Sequence, residues 1–302
     1  MHTFRFGLAA THLTGRKAWE DLAKRSEDAG FATLLTADHL GPMSPFPPLV
    51  SAAAVTSELR VGTFVLNNAL HHPLRLAQDA ATVDLLTDGR LELGLGTGWN
   101  KAEFDAMGLP YDRPSRRTER LAAAVSTIRR AWSGDPTVSL GVDVDVAASP
   151  RPLQDPLPLL IGGHSDAVLR LAAEEAQIVG FTGLTWSERG LVPSGASIES
   201  FVERARFVRE AAGPRADELE LNVLVQSCEI GPGAEAALDG LVNRFGVARQ
   251  LILETPLVLA GSPAQVTEKL QGLREQTGLS YFVVFEGVLA SMAEVVGGLA
   301  GT

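Results

Sequence analysis

The sequence predicts a (β/α)8 TIM barrel, an α/β fold in which eight parallel strands alternate with helices. Short strand-like runs recur eight times, and amphipathic stretches with apolar residues every three or four positions lie between them. Strand followed by helix, repeated eight times, is typical of a closed parallel barrel. The length of 302 residues suits one barrel, and no linker or break in composition divides the chain. We therefore expect a single domain over residues 1–302.

The predicted strands are short, apolar runs, and several are rich in valine, leucine or phenylalanine. In chain order they are FRFGLAA (4–10), ATLLTA (32–37), RVGTFVLN (60–67), RLELGLG (90–96), LPLLIGG (157–163), IVGFTG (178–183), ELNVLVQSC (220–228) and YFVVFE (281–286). The clearest helical patterns lie at 18–30, 73–89 and 197–213, and each ends in a glycine.

Two connections are much longer than a single helix requires. Residues 97–156 separate the fourth and fifth strands, and residues 229–280 separate the seventh and eighth. In a barrel, insertions of this kind lie at the C-terminal rim of the strands and shape the binding site. We therefore expect insertions after strands 4 and 7.

Arginines cluster in the first of these insertions, in and before the helical run RTERLAAAVSTIRRAW. Arg117 and Arg120 lie on the predicted helix, and we expect them to pair with Glu103 or Glu119. Ion pairs on an exposed helix face contribute little to stability. We therefore assign no function to this pair of arginines.

Charge and composition exclude several classes of partner. The net charge is −10, which opposes binding to nucleic acids and to anionic membranes. The chain has no run of 18 apolar residues, and its first residues lack the pattern of a signal peptide. Cys228 is the only cysteine, so no disulfide forms within the chain. We expect a cytoplasmic protein in which Cys228 is an inert core thiol.

The fourth predicted strand has two unlike faces. Its leucines alternate with Glu92, Gly94 and Gly96, so one face is apolar and the other is nearly without side chains. The leucines fit against the outer helices, and the glycines leave the barrel interior open near its top. That opening could hold a flat ring. The alternative is that the glycines are needed only for tight packing, and the strand pattern alone does not decide between the two.

A Rossmann dinucleotide site is the obvious competitor for the Gly-Leu-Gly-Thr-Gly run. Such a site needs G-x-G-x-x-G leading directly into a helix, with an acidic residue about 20 positions further on. Gly94, Gly96 and Gly98 have the wrong spacing, and the downstream segment reads RPSRRTER. The sequence therefore argues against a Rossmann site.

A second pair of glycines, Gly162 and Gly163, ends the fifth predicted strand. Ser165 or Asp166 is a suitable N-cap for the helix that follows. A helix N-terminus behind two glycines presents free backbone N–H groups to an anion. This pattern predicts a local anion site in an otherwise acidic chain, and a plain strand-to-helix turn is the alternative.

Three segments resemble one known family. They are TADHL after the second strand, HPLRLAQDAATVDLLTDGRLELGLGTGWNKAEFDAMGLP from His72, and RTERLAAAVSTIRRAW ending at Trp132. Together they resemble the bacterial luciferase-like monooxygenase superfamily, in particular its coenzyme F420-dependent oxidoreductase branch. The likeness covers nearly the whole chain and implies a (β/α)8 barrel. It further implies hydride transfer between the deazaflavin F420 and a small-molecule substrate, with an FMN-dependent monooxygenase as the alternative.

By this resemblance, the interior at Gly94 and Gly96 receives the deazaflavin or flavin ring. The resemblance also implies a bulge in strand three, with a non-prolyl cis peptide between Phe64 and Val65 against the face of the ring. The residues that it implies for cofactor binding are Asp38, Thr63, Phe64, Val65, Asn67, Thr97, Gly98, Asn100, Gly162, Gly163 and His164, the last three beside the phosphate. A homodimer is an open alternative to a monomer.

His39 is the candidate catalytic residue. Asp38 and His39 end strand two at the rim where barrel enzymes carry their active sites. The resemblance implies that His39 lies near the reactive ring carbon, where an imidazole can exchange a proton with the substrate. A structural histidine that caps the strand is the alternative. His71 and His72 are interpreted as residues with loop contacts, and His72 is expected to shape the rim at strand three.

One position departs from the family pattern. In the sugar-phosphate dehydrogenases of this branch an acidic residue follows the glycine run, whereas this chain has Trp99. The departure argues against sugar-phosphate oxidation. It makes reduction of a C=C or C=N bond at least as plausible.

Two further classes were weighed. A metal-dependent barrel hydrolase needs several ligands that converge at strand ends, and the first strand, RFGLAA, offers neither His nor Asp. We therefore predict no metal site. A barrel that binds a flavin-like ligand without catalysis is opposed only by the presence of His39.

Overall fold

The computed structural model describes residues 2–134, 150–183, 185–187, 190–192 and 195–302. Strands alternate with helices over almost all of this length. The strands are β1 Arg5–Ala10, β2 Thr33–Thr36, β3 Arg60–Thr63, β4 Leu66–Asn67, β5 Leu91–Gly96, β6 Leu159–Gly163, β7 Ile178–Phe181, β8 Thr185–Ser187, β9 Gly190–Val192, β10 Glu220–Leu224, β11 Ser227–Ile230, β12 Val258–Gly261 and β13 Leu279–Phe285.

The helices surround the sheet. They are α1 Arg16–Asp28, α2 Phe46–Ala53, α3 Pro73–Leu86, α4 Lys101–Ala106, α5 Pro114–Ser133, α6 Asp166–Glu175, α7 Ile198–Ala212, α8 Ala234–Phe245, α9 Arg249–Glu254, α10 Pro263–Thr277 and α11 Leu289–Leu299. Among the described residues, no helix is both long enough and apolar enough to cross a membrane.

The main sheet closes on itself. Its order is β3-β2-β1-β13-β10-β7-β6-β5-β4, and β3 also pairs with β5. Every pairing in this sheet is parallel. Because β3 and β4 are two parts of one wall position, the barrel has eight positions, as the sequence predicts.

The third wall position contains a bulge. β3 pairs with β5 as far as Gly62 opposite Glu92, and pairing resumes at Leu66 opposite Leu95. Three residues of the third wall position therefore face two residues of β5, which is the definition of a β-bulge. The Phe64–Val65 peptide within it is cis. Both features that the resemblance implied for this strand are confirmed.

The outward faces of the strands form the main core with the helices. Leu91, Leu93 and Leu95 are fully buried in this layer, as their alternation along the strand predicts. The inner faces form a separate, smaller cluster around Leu35, Leu160 and other residues inside the barrel.

The connections after β5 and β10 carry the expected extra structure. Two helices, α4 and α5, follow β5, although residues 135–149 of this insertion lie outside the described part of the chain. Between β10 and β13 lie a small parallel sheet of β11 and β12 and the helices α8, α9 and α10. A β8–β9 hairpin after β7 is a further insertion, which the sequence did not predict.

The seventh predicted strand was too long. The barrel strand β10 ends at Leu224, and Ser227–Ile230 belongs to the small outer sheet, where Cys228 pairs with Leu259. The strand-like pattern of residues 220–228 does not reveal this change of sheet, because both halves are extended and partly buried. Cys228 is partly buried, and burial raises the pKa of its thiol to about 12.

The bottom of the barrel is closed by charged side chains. The guanidinium of Arg5 binds the carboxylates of Glu92 and Glu220, and Arg60 Nε donates to Glu92 Oε1 over 2.8 Å. The ring of Tyr281 lies 4.4 Å beneath the Arg5 guanidinium. These groups fill the interior at the strand N-termini, so the space available to a ligand lies at the other end.

Candidate active site

His39 follows β2 at the C-terminal rim, and its imidazole is held by a buried carboxylate. Nδ1 of His39 lies 2.7 Å from Oε1 of Glu103, whose side chain is only 7% exposed. The His39 side chain is 39% exposed. Since Nδ1 is engaged by Glu103, Nε2 is the ring nitrogen left to meet a ligand, and the carboxylate fixes the orientation of the ring.

The predicted pairing of Arg117 and Arg120 with Glu103 or Glu119 is wrong. Arg117 donates to the backbone carbonyl of Gly98 and stacks on the ring of Tyr111, with 4.4 Å between the guanidinium carbon and the ring centroid. Arg120 pairs with Asp112. Neither arginine pairs with Glu103, because helix α4 directs this carboxylate to the barrel rim.

Helix α4 places Glu103 through its own N-cap. Asn100, a predicted cofactor residue, is that cap, and its side-chain oxygen accepts from Ala102 N over 3.2 Å. The N–H of Glu103 donates to Asn100 O over 3.1 Å. A capping residue after a strand, with an acidic residue three positions later, was the sequence signal for a helix start here. We did not use that signal to place Glu103.

Asp38 forms a second imidazole–carboxylate pair at the same rim. Its Oδ2 accepts from the backbone N–H of Asn67 over 2.9 Å and lies 2.8 Å from Nε2 of His71. The carboxylate therefore joins the end of β2 to the end of the third wall position. His71, interpreted from sequence as a loop residue, belongs to the rim.

The glycines of β5 do not leave the interior open, which decides between the two interpretations of the strand pattern. A Cβ on Gly94 would lie 2.0 Å from the carbonyl oxygen of Thr63, and one on Gly96 would lie 2.8 Å from Cγ2 of Val65. The bulge in the third wall position brings its backbone and the Val65 side chain into this space. The glycines serve tight packing, and a ring would have to lie above Val65.

Thr63 is part of the barrel wall. It is buried, and its hydroxyl donates to Gly94 O over 3.0 Å and accepts from Gly94 N over 2.8 Å. Phe64 and Val65 are half-buried and border the interior cluster. Of these three predicted cofactor residues, only the two bulge residues therefore border the space above the wall.

Asn67 and Gly98 are in direct contact. A Cβ on Gly98, whose φ is +74°, would lie 2.2 Å from Oδ1 of Asn67, so only glycine fits at this position. Asn67 Oδ1 accepts from Ala69 N over 3.2 Å. Its buried Nδ2 has no hydrogen-bond partner within the described chain. Thr97, which lies before Gly98 in the chain, is half-buried.

The two glycines that end β6 face opposite ways. A Cβ on Gly162 would lie 3.5 Å from Cγ1 of Val65, an ordinary contact inside the barrel. A Cβ on Gly163 would lie 2.4 Å from Cγ1 of Val168, in the first turn of α6. Gly163 is therefore needed for packing against the helix, and its place beside the phosphate stays a prediction.

The start of α6 has the features of an anion site. Ser165 is the N-cap, and its hydroxyl oxygen accepts from Val168 N, as predicted. His164 is half-buried; burial lowers its pKa, the charge of Arg204 lowers it further, and Asp166 opposes both. Arg204, on α7, pairs with Asp166. Sequence reasoning missed Arg204, because a position on a later helix carries no local signal.

A third pair lies on the β13 side of the rim. Glu286 Oε1 accepts from the N–H and the hydroxyl of Thr11, each over 3.0 Å, and lies 3.2 Å from Nδ1 of His12. Burial acts to raise the pKa of Glu286, but hydrogen bonds from Thr11 outweigh it, so this pKa lies below its ordinary value. The sequence analysis did not single out these residues.

Comparison with known proteins bears on this rim. The model of one protein family, described as luciferase-like monooxygenase, matches residues 2–250. The chain belongs to the luciferase-like monooxygenase family. The resemblance inferred from TADHL and the glycine run is thereby confirmed.

One relative matches most of this chain. An F420-dependent glucose-6-phosphate dehydrogenase of Nakamurella multipartita is 32% identical over 228 residues, which cover 72% of this chain and 65% of that protein. The chain thus spans just under two thirds of that relative's length.

Two solved structures share the fold over nearly the whole chain. An F420-dependent tetrahydromethanopterin reductase of Methanopyrus kandleri has a TM-score of 0.76 at 21% identity, with 99% of this chain and 100% of that one covered. An F420-dependent secondary alcohol dehydrogenase, in complex with an F420-acetone adduct, has a TM-score of 0.78 at 16% identity, with 99% of each chain covered. At these identities the likeness establishes the barrel fold.

Proposed function

We propose that the protein is a coenzyme F420-dependent oxidoreductase that transfers a hydride between the deazaflavin and a small organic substrate. The observation that carries the proposal is the His39–Glu103 pair at the barrel rim, which presents an oriented imidazole nitrogen where the family resemblance implies a flavin-like ring. The relative from Nakamurella multipartita and the two structures of similar fold are all named as F420-dependent.

The residues at the rim fit a ring that carries carbonyl groups. Nδ2 of Asn67 is a buried donor without an acceptor in the described chain, and leaving such a donor unpaired costs on the order of 1–3 kcal/mol. A ring carbonyl would satisfy it. Asn222, on β10, offers the opposite group, since its buried Oδ1 accepts from no donor among the described residues. The rim and the interior thus offer both a donor and an acceptor.

The rest of the coenzyme would be held at the start of α6. The N-terminus of this ten-residue helix, capped by Ser165, favours an anion through its free N–H groups and its dipole. Arg204 adds a positive charge beside Asp166. We assign the phosphate to this place, next to Gly162 and His164.

When bound, the deazaflavin supplies or accepts the hydride. The chain contributes the proton. His39, oriented by Glu103, gives a proton from Nε2 to the substrate atom that gains the electron pair, or takes it back in the reverse direction. Val65 and Phe64 would lie beneath a bound ring. The Asp38–His71 pair holds the two neighbouring rim segments together.

The test is a direct comparison of coenzymes. The purified protein is titrated with F420 and with FMN, and binding is followed by equilibrium dialysis and by the absorbance of each coenzyme. We expect F420 to bind at least tenfold more tightly. Tight FMN binding without measurable F420 binding would overturn the proposal.

A second candidate is an FMN-dependent monooxygenase that receives reduced flavin from a partner reductase. The matching family model, which is named for luciferase-like monooxygenases, favours it. Oxygen-dependent formation of an oxygenated product with reduced FMN distinguishes the two, because hydride transfer from F420 requires no oxygen.

A further inference from the structure

Three exposed apolar side chains lie on the segments that carry His39 and Glu103. Leu40 follows His39 in the chain and is 46% exposed. Trp99 is 45% exposed and lies edge-on to the His39 imidazole, with 5.6 Å between ring centroids and 69° between planes. Met107 is 49% exposed and caps α4 four residues after Glu103, on the same helix face. We call Leu40, Trp99 and Met107 the apolar lip.

Several contacts fix the position of Trp99. The hydroxyl of Tyr111 donates to Trp99 O over 3.0 Å, and Arg117 donates to the carbonyl of the preceding Gly98. Tyr111 in turn packs edge-on against the buried Phe104, with 5.0 Å between ring centroids. Trp99 is therefore presented beside His39 by an anchored segment, and its exposure does not come from a loose loop.

Three cations of the insertion that carries Trp99 are already engaged. Lys101 pairs with Asp105 over 2.6 Å, and the guanidinium of Arg117 lies between the Gly98 carbonyl and the Tyr111 ring. Arg120 pairs with Asp112. A phosphate would have to disturb one of these three contacts to gain its counter-charge from them.

Carboxyl groups oppose an anionic substrate as well. Glu103, Asp38 and Glu286 lie at the rim, each beside an imidazole. The lowered pKa of Glu286 keeps it ionised at neutral pH. These carboxylates therefore repel a dianion that approaches His39, whereas they do not repel an uncharged molecule.

We propose that the substrate is an uncharged, largely apolar molecule with a polarised double bond, such as an enone, rather than a sugar phosphate. The inference rests on the proposed function. In the reductive direction, the π bond breaks as one carbon takes the hydride from reduced F420. The atom that gains the electron pair takes a proton from Nε2 of His39, and the imidazole is reprotonated from solvent. The lip packs against the apolar part of the molecule.

Saturation-transfer NMR tests the proposal, because it reports weak binding without turnover. The probes are 2-cyclohexen-1-one, its 3-alkyl homologues and glucose 6-phosphate, each titrated with and without F420. We expect the enone affinity to rise by about three- to fourfold for each added methylene. Glucose 6-phosphate is expected to bind more weakly than every enone in the series.

Variants locate the binding surface. Trp99→Glu should weaken enone binding by tenfold or more, and Leu40→Glu should do the same, whereas Trp99→Phe should retain it. Leu86→Glu is the matched control: Leu86 is 61% exposed at the end of α3, which leads into the N-terminal end of β5, away from the rim. Circular dichroism checks the fold of each variant.

Two results would overturn the proposal: tighter binding of glucose 6-phosphate than of any enone, or enone affinity that Trp99→Glu and Leu40→Glu leave unchanged. Loss of F420 binding in the unmodified protein would instead overturn the proposed function. The enone titration without coenzyme reports on the lip in either case.

Discussion

Nδ1 of His39 lies 2.7 Å from Oε1 of Glu103, although 64 positions separate the two residues in the chain. β2 carries the imidazole and α4 carries the carboxylate, so the pair exists only because the barrel closes. A carboxylate on Nδ1 fixes the ring orientation and stabilises the protonated ring, which leaves Nε2 to exchange a proton.

The first prediction concerns Glu103 as a positioning residue. Glu103→Gln keeps the size of the side chain but removes its charge, so we expect kcat to fall by roughly 10- to 1000-fold with KM changed only a few-fold. Steady-state kinetics on a substrate found by screening measure both constants, and ¹⁵N NMR of the imidazole reports its tautomer. Glu119→Gln, an exposed carboxylate on α5, is the control. An unchanged kcat would show that Glu103 serves only packing.

His39→Ala removes the proposed proton donor itself. General acid–base groups contribute about 10² to 10⁴ in rate, so a loss of that size in kcat is expected, while F420 affinity stays within a few-fold. Coenzyme titration and kinetics on the same preparation separate the two effects. His72→Ala, an exposed histidine whose side chain makes no capping bond, should behave as the unmodified protein. Near-normal kcat in His39→Ala would move the proton source to water or to the substrate.

The two glycines at the end of β6 should respond differently to alanine. Gly162→Ala adds a methyl group in ordinary contact with Val65, so we expect unchanged stability and coenzyme affinity reduced about tenfold. Gly163→Ala forces Val168 aside, and such overpacking costs about 1–3 kcal/mol. Thermal melts measure the stability of both variants, and F420 titration measures their coenzyme affinity. Adding Val168→Ala to Gly163→Ala should restore stability; failure to do so would contradict the contact on which the prediction rests.

Cys228 should react slowly with thiol reagents. Burial raises the pKa of its thiol from 9.0 to about 12, and only the thiolate reacts, so the reactive fraction near pH 8 falls by about three orders of magnitude. Ellman's reagent, added before and after denaturation in urea, measures the contrast. Rapid labelling of the folded protein would contradict this prediction, because it would require an accessible thiol with a pKa well below 12.

Glu220 should make the stability depend on pH. Burial raises its pKa in the folded protein from 4.5 to about 7, against the opposing charge of Arg5, so the folded state holds the proton more tightly than the unfolded chain. This contribution is full below about pH 4.5 and is lost as the pH rises through 7. As the pH rises from about 4.5 to 7, this proton should cost the unmodified protein up to about 3 kcal/mol of unfolding free energy. Glu220→Gln carries no such proton, so its unfolding free energy should lack this loss.

Urea denaturation at several pH values tests this prediction. Glu218→Gln, an exposed neighbour, should follow the unmodified protein. Parallel curves for Glu220→Gln and the unmodified protein would show that Glu220 is ionised throughout the range, through its pair with Arg5.

Sequence alone suffices to predict the barrel, the outward face of β5 and the capped start of α6. These follow from local rules: the two-residue period of a strand decides which side chains share a face, and Ser165 caps a helix through atoms three residues away. The family resemblance also implies the bulge at Phe64 and Val65, which the structure contains.

What fills each face of a strand depends on the tertiary structure. Period two places Gly94 and Gly96 inside the barrel, but whether that space is open depends on the register of the third wall position, which brings Val65 into it. The partner of His39 depends in the same way on where α4 starts after β5. Such contacts join segments far apart in the chain, and their geometry is set by barrel closure and insertion length, which leave no mark on local periodicity.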